Sequence, residues 1–315
     1  MSLEAEIPGS SIKVFGSSID AIAGIGEELN IEAKTTQLIL WTLNMSMTSQ
    51  AIIRISPVFF DHYRVKRPVL SRDERGHVVK GESLRARVLL KTLRTVFRKN
   101  QNILSSLEKC QFSWKDPGIP VEGEIVDVEP RFHLKLLSQQ GVSKKHSLRY
   151  GDADSVKAFY KKTTQHKFTV DPNIFNDYFN YFHPKITDVA IECTPDAVKV
   201  KSYRCELSNE PAGLDRTMHT EFTINSSDFA AYSIQRNVQV AFNLKEMKTA
   251  MNYAAELGLL LTAAFDEPGK AIVFTVELPD MIIADFAVIT HLEDPVPTQM
   301  TSNTETSIET RSGYR

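Results

Sequence analysis

Cysteine is scarce in this chain of 315 residues: Cys110, Cys193 and Cys205 are odd in number, far apart and in no CxxC pairing. That usage excludes a disulfide framework and a structural zinc site and leaves packing thiols. Long apolar runs are missing too. No stretch approaches the roughly 18 residues needed to cross a bilayer, and Met1 to Ser11 has no basic segment followed by an apolar one. The expectation is a soluble intracellular protein with no membrane partner. Excess positive charge is also absent. A formal net charge of -2 and a pI near 6.5 exclude a protein that grips nucleic acid alone through a broad basic surface. Any such contact must come from local patches.

Catalytic signatures are equally lacking: there is no Gly-rich phosphate loop, HExxH or GxSxG. The close acidic groups, Asp73-Glu74, Glu122, Glu124, Asp127 and Glu129, and Glu293-Asp294, fall in expected loops. They read as solvated charge, not as carboxylates converging on a metal ion. His62, His133, His146, His183 and His219 are scattered among unrelated elements. The expectation is a protein that is not an enzyme and holds no metal and no cofactor.

What is present is apolar patterning. At 42% hydrophobic residues, the chain suffices for two domains, each with its own core. Val14, Phe15, Ile19 and Ile22 share one helical face against Lys13, Ser17 and Asp20, with Ser10 or Ser11 as cap. Strands are expected at Leu29 to Glu32, Leu38 to Leu43 and Ala51 to Ile55, in an antiparallel meander. A charged loop, Arg64 to Gly81, precedes a strand, Leu84 to Leu89, and a helix, Leu90 to Lys99. Ser106 to Trp114, Arg131 to Leu137 and Lys145 to Tyr150 read as strands, with a surface loop over Lys115 to Pro130. Gly151 to Lys167 is polar around Val156, Phe159 and Tyr160 and reads as an inter-domain connector.

The second half restarts the first. Asp171-Pro172 starts a helix whose face carries Ile174, Phe175, Tyr178, Phe179 and Phe182. Strands follow at Asp188 to Cys193, Ala197 to Tyr203, Met218 to Ile224 and Val238 to Phe242. A helix, Leu244 to Leu257, and strands at Leu259 to Phe265, Ala271 to Glu277 and Ile283 to Thr290 complete the order. Leu90-Lys91-Thr92-Leu93-Arg94-Thr95 is echoed by Leu244-Lys245-Glu246-Met247-Lys248-Thr249 at the same place in each half, which indicates duplication. On the first of these helices Lys91, Arg94 and Arg98 line up; on the second Lys245, Lys248, Thr249 and Asn252 face outward together. With the helices on one face of the sheets, Lys13, Lys91, Arg94, Arg98, Lys245 and Lys248 form a surface suited to phosphates. It has no aromatic stacking platform, so the contact would be sequence-independent.

At this point the chain resembles the Rad-nine subunit family of the nine-one-one checkpoint clamp, from about Ile12 to His291. The matching stretches are Ile12 to Gly16 (IKVFG), Ile25 to Leu29 (IGEEL), Pro57 to Tyr63 (PVFFDHY), Leu93 to Arg98 (LRTVFR) and Leu107 to Cys110 (LEKC). Gly141 to Leu148 (GVSKKHSL), Phe242 to Glu246 (FNLKE) and Phe265 to Thr275 (FDEPGKAIVFT) follow in order. The resemblance implies an α+β sliding-clamp fold similar to proliferating cell nuclear antigen, with two similar domains of antiparallel sheets and helices on one face. Residues 1–150 and 168–292 would be the domains, 151–167 the connector and 293–315 the start of a flexible tail. It further implies a nuclear subunit that closes a heterotrimeric ring on double-stranded DNA with two other checkpoint-clamp subunits. A clamp loader would load it, and checkpoint-kinase activators and repair enzymes would dock on it. The family's long phosphorylated tail is expected to be mostly missing here.

By the same resemblance, a partner groove would take Met45, Met47, Phe159, Tyr160, His291 and Pro295. Phe159 and Tyr160 either line it or pin the connector. Open sheet edges at the ends of the chain would pair between subunits. Two rival readings are a metal-dependent 3'-5' exonuclease and a homotrimeric replication clamp.

Overall fold

The computed structural model describes residues 2–66, 71–72, 78–79, 83–98, 106–115, 131–161, 164–203 and 220–292. The first half begins with β1 (Ser2–Pro8), α1 (Gly9–Ile25), β2 (Glu28–Ala33), β3 (Leu38–Leu43) and β4 (Ser49–Ile55). A 3-10 turn (Pro57–Phe59), β5 (His62–Lys66) and the short β6 (Ser71–Arg72) and β7 (Val78–Val79) come next. It closes with β8 (Leu84–Leu89), α2 (Leu90–Arg98), β9 (Leu107–Lys115), β10 (Arg131–Ser138) and β11 (Ser143–Arg149). The second half opens with β12 (His166–Val170), α3 (Pro172–Phe179), β13 (Asp188–Cys193), β14 (Ala197–Tyr203) and β15 (Glu221–Asn225). A 3-10 turn (Ser226–Asp228), β16 (Ala231–Ser233), β17 (Val238–Asn243), α4 (Leu244–Leu257), β18 (Leu261–Phe265), β19 (Ala271–Leu278) and β20 (Ile282–Ile289) follow.

Strand pairing repeats with the element order. The arrangement β11-β10-β9-β1-β5 corresponds strand for strand to β20-β19-β18-β12-β16, and β8-β2-β3-β4 to β17-β13-β14-β15. β4 and β20 then pair antiparallel, Ser49 opposite Val288 through Ile55 opposite Ile282. Four strands of the first half and five of the second thereby form one nine-stranded sheet.

Strict alternation sets the two faces of that sheet. Leu29, Ile31, Leu40, Ile53, Ala284 and Phe286 point inward and are buried under the helices. The helices lie in a row, α2 against α1, α1 against α4, and α4 against α3. At the central crossing a Cβ on Gly24 would come 2.7 Å from Thr249 Cγ2, so glycine sets the close approach. The Ser18 and Tyr253 hydroxyls share a hydrogen bond of 2.9 Å across the same seam. In place of two separate cores, the inner faces of both halves make one continuous core.

One strand is added and two local expectations are corrected. β1, not among the expected strands, buries Leu3, Ala5 and Ile7 while Glu4 and Glu6 face outward, and it pairs with both β5 and β9. Ser10 and Ser11 lie inside α1, whose N-cap position is Pro8 without a side-chain cap, because β1 runs directly into the helix. Arg64 to Lys66 belong to β5 and not to a loop, because pairing with β1 satisfies their backbone. The caps of the second half follow sequence chemistry: Asp171 Oδ1 accepts from Asn173 N–H, and Asn243 Oδ1 from Lys245 N–H.

The connector crosses the outer face of the nine-stranded sheet, held by three buried polar side chains, Glu32, Gln50 and Asp285. Gly151 bridges to Arg87 of β8 through backbone bonds of 2.8 and 2.9 Å. Val156 N–H donates to Glu32 Oε2 at 3.1 Å, and Gln50 Nε2 to Lys157 O at 2.9 Å. Tyr160 OH donates to Asp285 Oδ2 at 2.7 Å, where Arg54 Nη1 also binds at 2.6 Å; Thr275 Oγ1 donates to Oδ1 at 2.9 Å. Ile39, Trp41 and Ile52 form a small second core beneath, against Leu43, Val156 and Tyr160.

Burial works against the Arg54 charge, but Tyr160 and Asp285 outweigh it and raise its pKa. Breaking a buried pair from one side strands the other charge. Asp285→Ala is therefore expected to cost about 3 kcal/mol or more and Tyr160→Phe about 1 kcal/mol, both read by denaturant unfolding. Burial raises the pKa of the Glu32 carboxyl, yet Val156 N–H, Ser83, Lys34 and Arg85 together hold it below its ordinary value. Its stabilising share is present above the unfolded pKa, about 4.3, and is lost as pH falls through the lower folded value. Glu32→Gln is expected to flatten the acid limb of the stability curve over that range while leaving neutral pH less stable.

Candidate functional site

The helix layer presents the cations expected from the sequence, but not all in one role. Lys13 on α1, Lys91 on α2 and Lys245 on α4 are exposed, opposite the buried Ile12, Leu93 and Met247. Arg94 Nε binds Asp20 Oδ1 at 2.7 Å and ties α2 to α1. Lys248 Nζ lies 5.8 Å above the Phe179 ring and ties α4 to α3. Arg98 closes α2, and its side chain lies outside the described residues. Thr249, expected to face outward, is instead turned onto Gly24 at the α1–α4 seam, because the two helices cross there at close range. Tyr181, 80% exposed just past α3, is an aromatic that the stripe reading left out. Between the end of α1 and the start of α2 a hollow of about 640 Å³ is lined by Glu27, Lys91, Arg94 and Thr95.

On the outer face, the two neighbouring aromatics of the connector separate. Tyr160 is pinned inward on Asp285, whereas Phe159 stays 39% exposed with its N–H on Gln50 Oε1 at 3.4 Å. Met45 (90% exposed) and Met47 (72%) cap the β3–β4 turn. Asn44 Oδ1 builds this turn by accepting from Thr48 and Ser49 N–H, and Met47 adopts φ 57°. Ile289 N–H donates to Thr48 O at 2.9 Å, and Gln50 sits opposite Ala287. The methionine turn, Phe159 and the half-exposed Ile289 therefore share one corner of the sheet. Ile289 was missed because it falls inside the apolar strand expected over Ile283 to Thr290 and reads as core. Beside the connector, a groove of about 480 Å³ is lined by Tyr160, Lys161, Thr164, Thr262, Thr275 and Ile283.

His291 is not part of that corner. Its N–H donates to Ala241 O at 2.7 Å, its Nε2 meets Asp188 Oδ1 at 3.2 Å, and its ring stacks on Tyr203 at 5.7 Å. It fastens the end of β20 to the sheet of β13, β14 and β17. Pro295 lies outside the described residues.

Among the described residues no group of three or more His, Cys, Asp or Glu is placed to hold a metal ion. Asp73, Glu74, Glu122, Glu124, Asp127, Glu129, Glu293 and Asp294 lie outside them. Burial pushes the Cys110 and Cys193 thiols up to about 12, so neither is a nucleophile at neutral pH. No helix among the described residues is long and apolar enough to cross a membrane.

Comparison with solved structures gives PCNA from Thermococcus kodakaraensis, with a TM-score of 0.67 and 10% identity over 92% of this chain and 100% of that one. PCNA from Entamoeba histolytica gives 0.64 and 12%, over 92% and 99%. A complex of PCNA2 and PCNA3 from Sulfolobus tokodaii gives 0.66 and 9%, over 92% and 100%. The fold is that of a sliding clamp. Among curated proteins, the DNA repair protein rad9 of Schizosaccharomyces pombe is 23% identical over 272 residues, covering 81% of this chain and 62% of that protein. The cell cycle checkpoint control protein Rad9 of Drosophila melanogaster is 20% identical over 266 residues, covering 84% of this chain and 51% of that one. The chain thus spans between about half and three fifths of the length of these relatives. The Rad9 family matches residues 15–291, and the chain belongs to it.

Proposed function

We propose that this chain is a non-catalytic subunit of a heterotrimeric checkpoint sliding clamp, which encircles duplex DNA in the nucleus and recruits checkpoint-signalling and repair proteins. The observation that carries this reading is the repeat of strand pairing. Within the chain, the last strand of one five-stranded unit, β20, pairs with the outer strand of a four-stranded unit, β4. Among the described residues their counterparts, β11 and β15, remain sheet edges. The same joint made between chains, β11 of one subunit to the β15 equivalent of the next, extends the pattern into a ring with helices inside. In this reading residues 1–150 and 168–292 are the two clamp domains and 151–167 is the connector; the tail expected over 293–315 lies outside the described residues.

Lys13, Lys91 and Lys245 would then touch phosphates of the enclosed duplex, with Arg94, Arg98 and Lys248 adding to the field. Met45, Met47 and Phe159 would take an apolar partner peptide, with Tyr160 holding the wall behind it. A clamp loader, a checkpoint-kinase activator and repair enzymes are the partners in this reading.

Light scattering is expected to give a monomer for the chain alone and a one-to-one-to-one complex with the other two clamp subunits of its organism. A homotrimer of the chain alone would move the reading to a replication-type clamp; a monomer in every mixture would remove the ring. In the assembled ring, Lys13→Ala, Lys91→Ala and Lys245→Ala together are expected to lower the salt dependence of DNA retention by about 1 per lysine. An unchanged slope sinks the DNA assignment. Phe159→Ala is expected to leave stability within about 0.5 kcal/mol while weakening partner-peptide binding, measured by calorimetry.

A further inference from the structure

The two five-stranded units have the same topology and the same apolar inner face, but their outer faces differ. On β18, β19 and β20 the outward side chains are mostly neutral, such as Thr262, Ala264, Val273 and Ala287; the connector reaches β20 through Tyr160 on Asp285, and Thr262, Ala264 and Val273 line the groove beside it. On β1, β5, β9, β10 and β11 no connector crosses among the described residues. There the register sets His62, Glu6, Gln111, Lys135 and Lys145 in one row. The next row carries Arg64, Glu4, Ser113, His133 and Ser147. Twist hollows this face into a groove of about 630 Å³, lined by His62, His133, Lys135 and Lys145 among others.

The carboxylates of this face are already engaged. Glu6 binds Gln111 Nε2 at 2.7 Å and Lys109 Nζ at 3.0 Å, and Glu4 lies 3.8 Å from Lys66 Nζ. Among the described residues, Arg64, Lys135 and Lys145 have no carboxylate within ion-pair distance. Lys135 and Lys145 stand directly opposite each other on adjacent strands, with outward side chains. Like charges placed so oppose sheet pairing. The sister sheet shows that the fold does not require them. In a chain of net charge -2, this concentration of cations is local.

We propose that the outer face of β5, β1, β9, β10 and β11 is a docking site for a carboxylate-rich, extended segment of a protein partner, held by Lys135, Lys145 and Arg64. Carboxylates laid along the groove would separate the two lysine ammonium groups and meet the flanking histidines, an arrangement complementary in charge. DNA is the less fitting occupant, since this face lies on the side of the sheet away from the helices. This site is independent of ring closure, and its test uses the chain by itself.

The probe is a fluorescein-labelled peptide of about twelve residues, long enough to span the sheet, alternating Glu and Ser, with a Gln-for-Glu counterpart. Anisotropy is expected to show binding of the Glu peptide to the chain, weaker by about ten-fold or more for the Gln peptide and falling as salt rises. Lys135→Glu with Lys145→Glu should lose about ten-fold or more in affinity, whereas Lys91→Ala with Lys245→Ala on the helix face should change it by less than about two-fold. Lys135→Glu alone creates an opposite-charge pair, so it should raise the melting temperature by about 1–2 °C while weakening the peptide. If the double reversal fails to fold, Lys135→Gln with Lys145→Gln carries the same expectation. Equal binding of the Gln peptide, or unchanged binding in both lysine variants, overturns the proposal. So does a result in which these variants lose duplex DNA and keep the Glu peptide.

Discussion

Everything in this molecule depends on one antiparallel strand pair. β4 and β20 come from opposite halves, far apart in sequence, and their pairing turns two four-on-five units into one chain-long structure. Inward, Ile53, Ile55, Ala284 and Phe286 stack against α1 and α4, so the joint is fixed by burial as well as by backbone bonds. Outward, the same strands supply Arg54 and Asp285, a charged pair that burial penalises unless every remaining site is used. Tyr160 and Thr275 use those sites. The connector is thereby fastened to the joint, and the pair that closes the halves also holds the strap over them.

A comparable economy shows in the helix layer. Six cations line up on the outward stripes in sequence, but folding places Arg94 beside Asp20 and Lys248 over Phe179. These two hold neighbouring helices in register. Lys13, Lys91 and Lys245 keep their ammonium groups in solvent, one on each of three adjacent helices. Charge that ties helices together is less available to a phosphate than charge that does not, so the stripe divides by partner and not by residue type.

The architecture was largely legible in the sequence because its signals are periodic. The apolar and β-branched runs of β3, β4, β19 and β20, the Asp171-Pro172 start and the paired Leu90 and Leu244 helix openings are each local and strong. β1 escaped because Ala5 and Pro8 dilute a seven-residue alternation whose meaning comes from its partners β5 and β9. Thr249 and His291 escaped for a different reason. Their surroundings, Gly24 in one case and Asp188 with Tyr203 in the other, are contributed from across the fold, and no helical or strand period encodes them. The Phe159-Tyr160 pair was recognisable as a pair, but its division into one exposed and one pinned ring follows from Asp285, 125 residues away.

Duplication makes the outer faces informative. Both five-stranded units must bury the same kind of inner face, and they do, with Leu3, Phe112 and Leu134 in one matching Phe168, Ala263 and Phe274 in the other. Packing imposes no such agreement on the outer side. Where the connector lies, over β2, β3, β4 and β20, Ile39, Trp41 and Ile52 accompany a few buried polar anchors, because a covered surface must satisfy every charge it contains. On the outer face of β10 and β11 lysines stand opposite one another and histidines flank them, an arrangement that opposes sheet pairing and has no role in the core. Two five-stranded units with one topology and different outer chemistry answer to what meets that face: the end of the connector at β20 in the second half, and in the first the proposed carboxylate-rich partner.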